Sequence, residues 1–271
     1  MSAKTGKAGV KARPEAKLPV SVVVLIRNEE ANLPGCLAML GWAAEVVVVD
    51  SGSTDRGPAL ARKAGAKVYA RAWTGYVDQR NFALSKCRQP WILSVDADER
   101  VAPDLVRAVR ALLAGAPEKR GYRVRFVSNY FGRWLRYGGV YPDEHLNFFR
   151  REGARYGGTK GDVHERPDIA DPGRLAGHIT HNAYPSMELA LEKLDRYTTL
   201  EAAGRLGAGA RFSQAGALVR AVHRVAKNYL WKRGWGDGVQ GLLYAFLGGY
   251  YNFCFRLKIW EARRREEAGR P

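Results

Sequence analysis

Cysteine is scarce in this chain: Cys36, Cys87 and Cys254 are three in 271 residues. They are odd in number, far apart and without zinc-ligand spacing, so a reducing compartment fits better than a secreted disulfide framework. No G-x-G-x-x-G follows the first apolar run, which argues against a dinucleotide enzyme, and there is no Walker A sequence. Gly132, Gly138 and Gly139 form no phosphate-binding fingerprint either. The N-terminus carries Lys4, Lys7, Lys11, Arg13 and Lys17 with no apolar segment behind them. Residues 1–17 are therefore expected to be a disordered basic tail, not a secretory signal. Acidic residues are few: 27 against 44 basic ones, a net charge of +17. Such a surface attracts anionic partners.

The hydrophobic share of 46% and the charged share of 26% are ordinary for a globular protein. The length suits one sizeable domain with an appendage. Val22 to Ile26 and Val46 to Val49 are unbroken apolar runs, as in strands of a parallel sheet covered on both faces. Helical spacing at Leu33, Leu37 and Leu40 follows the first, and Ala59–Ala64 follows the second. A short third strand at Ala66–Tyr69, a helix over Gly75–Cys87 and a fourth strand at Trp91–Val95 continue the alternation. Pro103 opens another helix, and Gly115 ends it. This βα alternation predicts an α/β fold with a mostly parallel central sheet. Beyond residue 120, strands are expected near 122–127 and 145–150, and a helix over 188–204.

The most informative segment is Ser94-Val95-Asp96-Ala97-Asp98-Glu99. Two carboxylates at i and i+2, leaving a buried strand, can converge on one point. Mg²⁺ is usually held by one or two carboxylates plus substrate phosphates. Asn28, Glu29 and Asp50 also lie at strand ends, where open α/β sheets bind ligands. Helix capping explains Ser53, Thr54 and Asp55, but not Asp50 or Asp96 at the strand termini. His178 and His181 are three apart, so a strand points them to opposite faces. His178 is read as structural and His181 as a pocket residue.

In order, these motifs resemble family 2 glycosyltransferases of the GT-A fold. The matching pieces are Val22 to Asn32, Val46 to Asp55, Gln79-Arg80-Asn81 and Leu93 to Glu99. Tyr141-Pro142-Asp143, Val163-His164-Glu165, His181 to Tyr184 and Lys193 to Ala202 look like one branch of that family. That branch is the bacterial lipopolysaccharide core enzymes that add glucose to inner-core heptose. The resemblance implies a GT-A nucleotide-sugar-binding domain over 18–209 and a helical, amphipathic extension over 210–271. It also implies roles. Asp50 would read the base, Asp96 would face the ribose or diphosphate, and Asp98 would ligate Mg²⁺ or Mn²⁺. Asn28 and Glu29 would line the nucleotide pocket, and Arg80 would meet the diphosphate or the pocket wall. His164 would complete the metal site. Asp143 aligns with the general base, but the family usually shows Glu-Asp there. Here Pro142 precedes and Glu144 follows, which leaves Glu144 as a rival base. No second carboxylate nucleophile is obvious, in agreement with inversion. The implied reaction moves glucose from UDP-glucose, a nucleotide-sugar donor, onto a lipopolysaccharide-core or other glycolipid acceptor.

From Leu218, apolar residues recur at Val222, Val225 and Tyr229, with Arg220, His223, Arg224 and Lys227 on much of the remaining surface. This is a basic amphipathic helix suited to an anionic membrane surface. Val239 to Phe255 is aromatic-rich but short of the ~20 apolar residues of a span. Interfacial docking is expected, with packing on the catalytic domain as the alternative. The expected location is the cytoplasm, peripheral on the inner face of the cytoplasmic membrane. Two other readings compete: a nucleotidyltransferase and a non-enzymatic basic module binding nucleic acid or membrane. The glycine-free Arg27-Asn28-Glu29-Glu30 loop argues against the first. The second leaves the acidic strand ends unexplained, and no nucleic-acid partner is expected.

Overall fold

The computed structural model describes residues 16–157, 166–207 and 213–267. The first four long strands are β1 (Leu18–Ile26), β2 (Ala43–Asp50), β3 (Lys67–Ala70) and β4 (Trp91–Asp96), with α1 (Leu33–Ala38), α2 (Gly57–Lys63) and α3 (Tyr76–Lys86) between them. They lie side by side in the order β3-β2-β1-β4, all parallel. The valine runs are unbroken because both faces are covered. Val20, Val22 and Val24 pack with Leu33 and Cys36 of α1 and Ala61 of α2. Val23, Val47 and Val49 pack with Ala83 and Leu84 of α3. Alternate residues of one strand thus belong to two cores.

After β4 the chain forms β5 (Glu99–Val101), α4 (Pro103–Ala114), β6 (Gly121–Tyr130), β7 (Arg133–Trp134) and β8 (Asp143–Arg150). Next come β9 (Tyr156–Gly157), β10 (Arg166–Pro167) and β11 (Gly173–Tyr184). The sheet continues β4-β8-β6-β11-β5. Here β8 runs antiparallel to β4 and β6, while β11 is parallel to β6. The parallel character expected from the βα alternation therefore holds for the first half and gives way to mixed pairing. No helix separates β6 from β8, and a short connection without a crossover brings strands back antiparallel.

The C-terminal part is helical. α5 (Met187–Gly207) and α6 (Gln214–Ala226) are followed by a π-helical turn at Lys227–Trp231, a 3₁₀ turn at Gly234–Asp237 and α7 (Gly238–Glu267). α7 packs on α5 through Leu247, Phe255 and Ile259 against Ala190, Leu194 and Ala202. It crosses α6 at Gly249, where a Cβ would lie 2.4 Å from Val225 Cγ2 and 2.9 Å from the Ala221 carbonyl oxygen. So close a crossing accepts small residues only. The buried stripe of α6 accordingly runs through Ala217 and Ala221, while Leu218, Val219 and Val222 are exposed. The amphipathic stripe of Leu218, Val222 and Val225 is thus split, with Val225 at the crossing with α7 and the other two at the surface. Among the described residues no helix is long and apolar enough to cross a membrane.

Candidate active site

The ends of β1 and β2 are tied to each other. Asn28, in the left-handed region at φ 57°, accepts a hydrogen bond from Thr54 N at 2.8 Å and donates its own N–H to Ser53 Oγ at 2.9 Å. Asp50 Oδ1 accepts from Ser53 N at 2.9 Å. Ser53 and Thr54 therefore serve the neighbouring loop; the N-cap position of α2 is Arg56, without a side-chain cap.

At the end of β4, the buried Arg80 donates to Ser94 Oγ at 2.7 Å and to Asp96 Oδ1 at 2.8 Å. Glu99 is buried behind them and accepts from Asp96 N at 2.9 Å. Burial, then the Asp96 charge, push its carboxyl well above the usual range. Asp98 points elsewhere. Its Oδ2 lies 3.2 Å from Lys193 Nζ on α5 and 3.4 Å from His181 Nε2 on β11. Burial opposes the charged form of Asp98, but the His181 and Lys193 contacts outweigh it and hold the carboxyl well below its ordinary range. Burial likewise works against protonation of His181, yet the Asp98 hydrogen bond and the nearby Glu99 charge leave its affinity for a proton raised. Glu29 joins this group: burial raises its carboxyl, with Asp98 and Asp96 adding to the effect and Lys193 opposing it. His178 takes the opposite course, with Nδ1 2.8 Å from Asp104 Oδ2 at the start of α4.

A cavity of about 500 Å³ opens in front of these strands. Arg80, Asp96, Glu99 and His181 line one side, and Asp143, Glu144 and His145 of β8 another. Asn147 Nδ2 donates to the Ser94 carbonyl oxygen at 2.8 Å and anchors β8 to β4. Strand alternation separates the two candidate bases. Asp143 Oδ1 faces His145 Nε2 at 2.9 Å. Glu144 receives Arg174 Nε at 2.9 Å and also borders a second recess with Arg125 and Tyr141. Much of the remaining wall is phenolic: Tyr76, Tyr130, Tyr184, Tyr197 and Tyr251. Burial pushes the hydroxyls of Tyr76, Tyr130, Tyr184 and Tyr251 up, so they stay neutral hydrogen-bonding groups at physiological pH. Tyr251 belongs to α7, so the extension supplies part of the cavity wall.

The structure thus gathers Arg80, Asp96, His181, Asp143 and Glu144 around one space, with Asp98 and Glu29 beside His181 and Lys193. Asn28 and Asp50 lie outside that lining, engaged in the loop tie. His164 lies outside the described residues. Sequence reasoning missed Lys193, Glu99, His145 and the phenolic wall. For Lys193 a signal existed: Lys193, Arg196 and Tyr197 share one face of a helix at i, i+3 and i+4.

Among the described residues no cluster of three His, Cys, Asp or Glu side chains is set to hold a metal ion. The donor chemistry still fits a hard divalent cation. Asp96 and Asp98 offer carboxylate oxygens at one strand end, and substrate phosphates supply the rest in sites of this type.

An α/β sheet that brings Asp96, at the carboxyl end of a central parallel strand, to one cavity with Asp143 and Glu144 is an arrangement suited to a transferase. The sequence model of glycosyl transferase family 2 matches residues 21–162, more than half of the chain, and the protein belongs to that family of glycosyltransferases, with the α/β architecture of the GT-A fold. It is 33% identical over 261 residues to the lipopolysaccharide core biosynthesis glycosyltransferase LpsC of Rhizobium meliloti, covering 90% of this chain and 93% of that one. An uncharacterized glycosyltransferase of Rickettsia typhi is 24% identical over 89% of this chain and 87% of its own. Among solved structures, mannosyl-3-phosphoglycerate synthase from Rubrobacter xylanophilus aligns at 26% identity over 40% of each chain, with a TM-score of 0.36. The chain thus spans about two fifths of that structure, a likeness too slight to carry an argument about ligands.

Proposed function

We propose that this glycosyltransferase is inverting and metal-dependent, and that it moves a sugar from a nucleotide-sugar donor, with UDP-glucose the first candidate, onto a lipopolysaccharide-core glycolipid. The observation that carries the reading is that Asp96 of β4 and Asp143 of β8 line one cavity, with Asp98 held against His181 of the same lining. Donor and acceptor have separate sides. Arg80 and the carboxylates of β4 would hold the diphosphate end. A bound divalent cation would offset charge developing on the leaving diphosphate. Asp143 would take the proton of the acceptor hydroxyl as its oxygen bonds to the anomeric carbon and the carbon–oxygen bond to the diphosphate breaks. One displacement of this kind inverts the anomeric centre. The core-lipid acceptor is supported by the similarity to LpsC over nine tenths of the chain. Glucose and uridine are supported by the motif resemblance alone.

Calorimetric titration with UDP, GDP, CDP and dTDP, with and without Mn²⁺, tests the donor side on wild type and Asp98→Asn. Metal-dependent binding of one nucleotide, lost in the variant, is the expected result. A folded protein that binds none of the four would overturn the proposal.

A glycolipid acceptor calls for membrane contact, and the proposed location is peripheral, on the cytoplasmic face of the inner membrane. From Ser213 to Trp260 the only acidic residue is Asp237, which is buried and accepts backbone N–H groups of Arg136 and Tyr137. Around it Trp231, Trp235, Val239 and Phe246 are exposed, as are Leu218 and Val222 of α6. Arg220, Arg224, Lys227, Lys232 and Arg233 accompany them in the same segment. Apolar side chains with a basic rim suit an anionic interface. In vesicle sedimentation, the full chain is expected to bind phosphatidylglycerol-containing vesicles and not pure phosphatidylcholine. A Trp231→Ser/Trp235→Ser/Phe246→Ser variant that binds equally well would sink the membrane assignment.

A further inference from the structure

We propose that Lys193 is the resident counter-cation of Asp98, and that it passes to the donor's diphosphate when a divalent cation is loaded. This inference rests on the donor assignment above and extends it to a residue with no role there.

Lys193 reaches the site from α5. Its Nζ lies 3.2 Å from Asp98 Oδ2, 3.2 Å from the Ala183 carbonyl oxygen, and 5.9 Å from the centroid of the Tyr184 ring, which lines the cavity. His181 is directed at the same Oδ2. The lysine and the aspartate side chains are each 19% exposed, so solvent screens the pair only in part. Four carboxylates collect here, those of Glu29, Asp96, Asp98 and Glu99, and Arg80 is already committed to Asp96. One turn on, Arg196 sits over the Tyr197 ring at 5.1 Å, and Tyr197 lines the cavity. The face of α5 turned to the site is thus cationic.

An ammonium and a dication cannot share one carboxylate without strong like-charge repulsion. Lysine is suited to leaving, because its charge rides on a flexible four-carbon stem. It is also suited to its destination, since it binds phosphate as a point charge. Loading the cation places positive charge on Asp98, and the donor brings a diphosphate that can receive the displaced ammonium.

The two halves of this exchange predict effects of opposite sign. Removing the ammonium leaves the acidic cluster more attractive to a dication and more repulsive to a diphosphate. A lysine with a merely structural role would weaken both or neither. The test is calorimetric titration of Mn²⁺ alone, and of the nucleoside diphosphate that wild type binds, in the presence of saturating Mn²⁺, on wild type, Lys193→Met and Lys193→Arg. Lys193→Met is expected to bind Mn²⁺ about ten-fold more tightly and the nucleotide about ten-fold more weakly. Lys193→Arg keeps the charge and should stay near wild type in both. Unchanged or weaker Mn²⁺ binding by Lys193→Met overturns the counter-cation role, and unchanged nucleotide binding overturns the transfer. If Lys193→Met does not fold, Lys193→Gln is read in its place. A wild type that binds no nucleoside diphosphate would instead overturn the donor assignment, while the Mn²⁺ titration still decides the role of Lys193 at Asp98.

Discussion

The β1–β4 half of the sheet and the half beyond it solve the same problem with different means. In the first, β1, β2 and β3 are each followed by a helix, and the valines of β1 and β2 are covered from both sides by α1, α2 and α3. Its polar residues are tied locally: Asn28 and Asp50 hold the β1 and β2 loops together. In the second half, the cavity wall is assembled from β6, β8, β11, α5 and α7, elements far apart in the chain. The first half is a rigid platform presenting carboxylates. The second is a closure built around them, and under the proposed function it would hold the groups that meet the acceptor. The difference locates where substitutions should change chemistry and where they should change stability.

The largest effect is expected at the candidate base. Asp143→Asn should lower kcat by about 10²–10⁴-fold with the fold intact, the usual range for loss of a positioned proton acceptor. Glu144→Gln should cost far less, because its carboxylate is engaged with Arg174 on the other face of β8. Steady-state kinetics on the two single variants decides between them, and the reverse ranking would make Glu144 the base.

Next comes the junction that holds the closure in place. Gly249→Leu forces a side chain into the space of Val225 and the Ala221 carbonyl. Overpacking of this kind costs about 1–3 kcal/mol. Because α7 carries Tyr251 into the cavity, the variant is expected to lose acceptor affinity as well as thermal stability. Differential scanning calorimetry together with acceptor KM reads both. A variant with lowered stability but unchanged acceptor KM would show that α7 is packing alone.

The same contrast explains what could be read from the chain. β1, β2 and β4 were legible because residues buried on both faces leave an unbroken apolar run, and a carboxylate at the end of such a run has few structural excuses. Asp96 is legible for that reason, whereas Arg80, inside α3, is marked only by the family resemblance of Gln79-Arg80-Asn81; the two form an ion pair. Asp143 and Glu144 could not be separated, because adjacent residues swap faces with any one-residue slip in register. Lys193 is marked in the sequence only by the helical face it shares with Arg196 and Tyr197, and that local pattern does not point to Asp98, a partner 95 positions away. On α6 the apolar residues of the amphipathic pattern, Leu218 and Val222, lie exposed, and the inner face is made by alanines that the close crossing at Gly249 requires.

The platform half has its own weak point, and it titrates. Glu45 on β2 is buried, accepts from Lys67 Nζ at 2.6 Å and Arg88 N at 2.7 Å, and is hydrogen-bonded by Ser21 of β1. Burial alone would raise its carboxyl, but the Lys67, Ser21 and Arg88 contacts outweigh it and hold the carboxyl below its ordinary value. A carboxyl lowered on folding stabilises the protein in full above its unfolded value of about 4.3, and that contribution is lost as pH falls through the lowered folded value. Glu45→Gln removes the titration and leaves its donors poorly matched, at a cost of about 1–3 kcal/mol near neutral pH. Chemical denaturation of both proteins from pH 7 downward should therefore give curves that converge as the solution is acidified. A gap that stays constant across that range would mean that Glu45 contributes through its shape and its hydrogen bonds, and not through its charge.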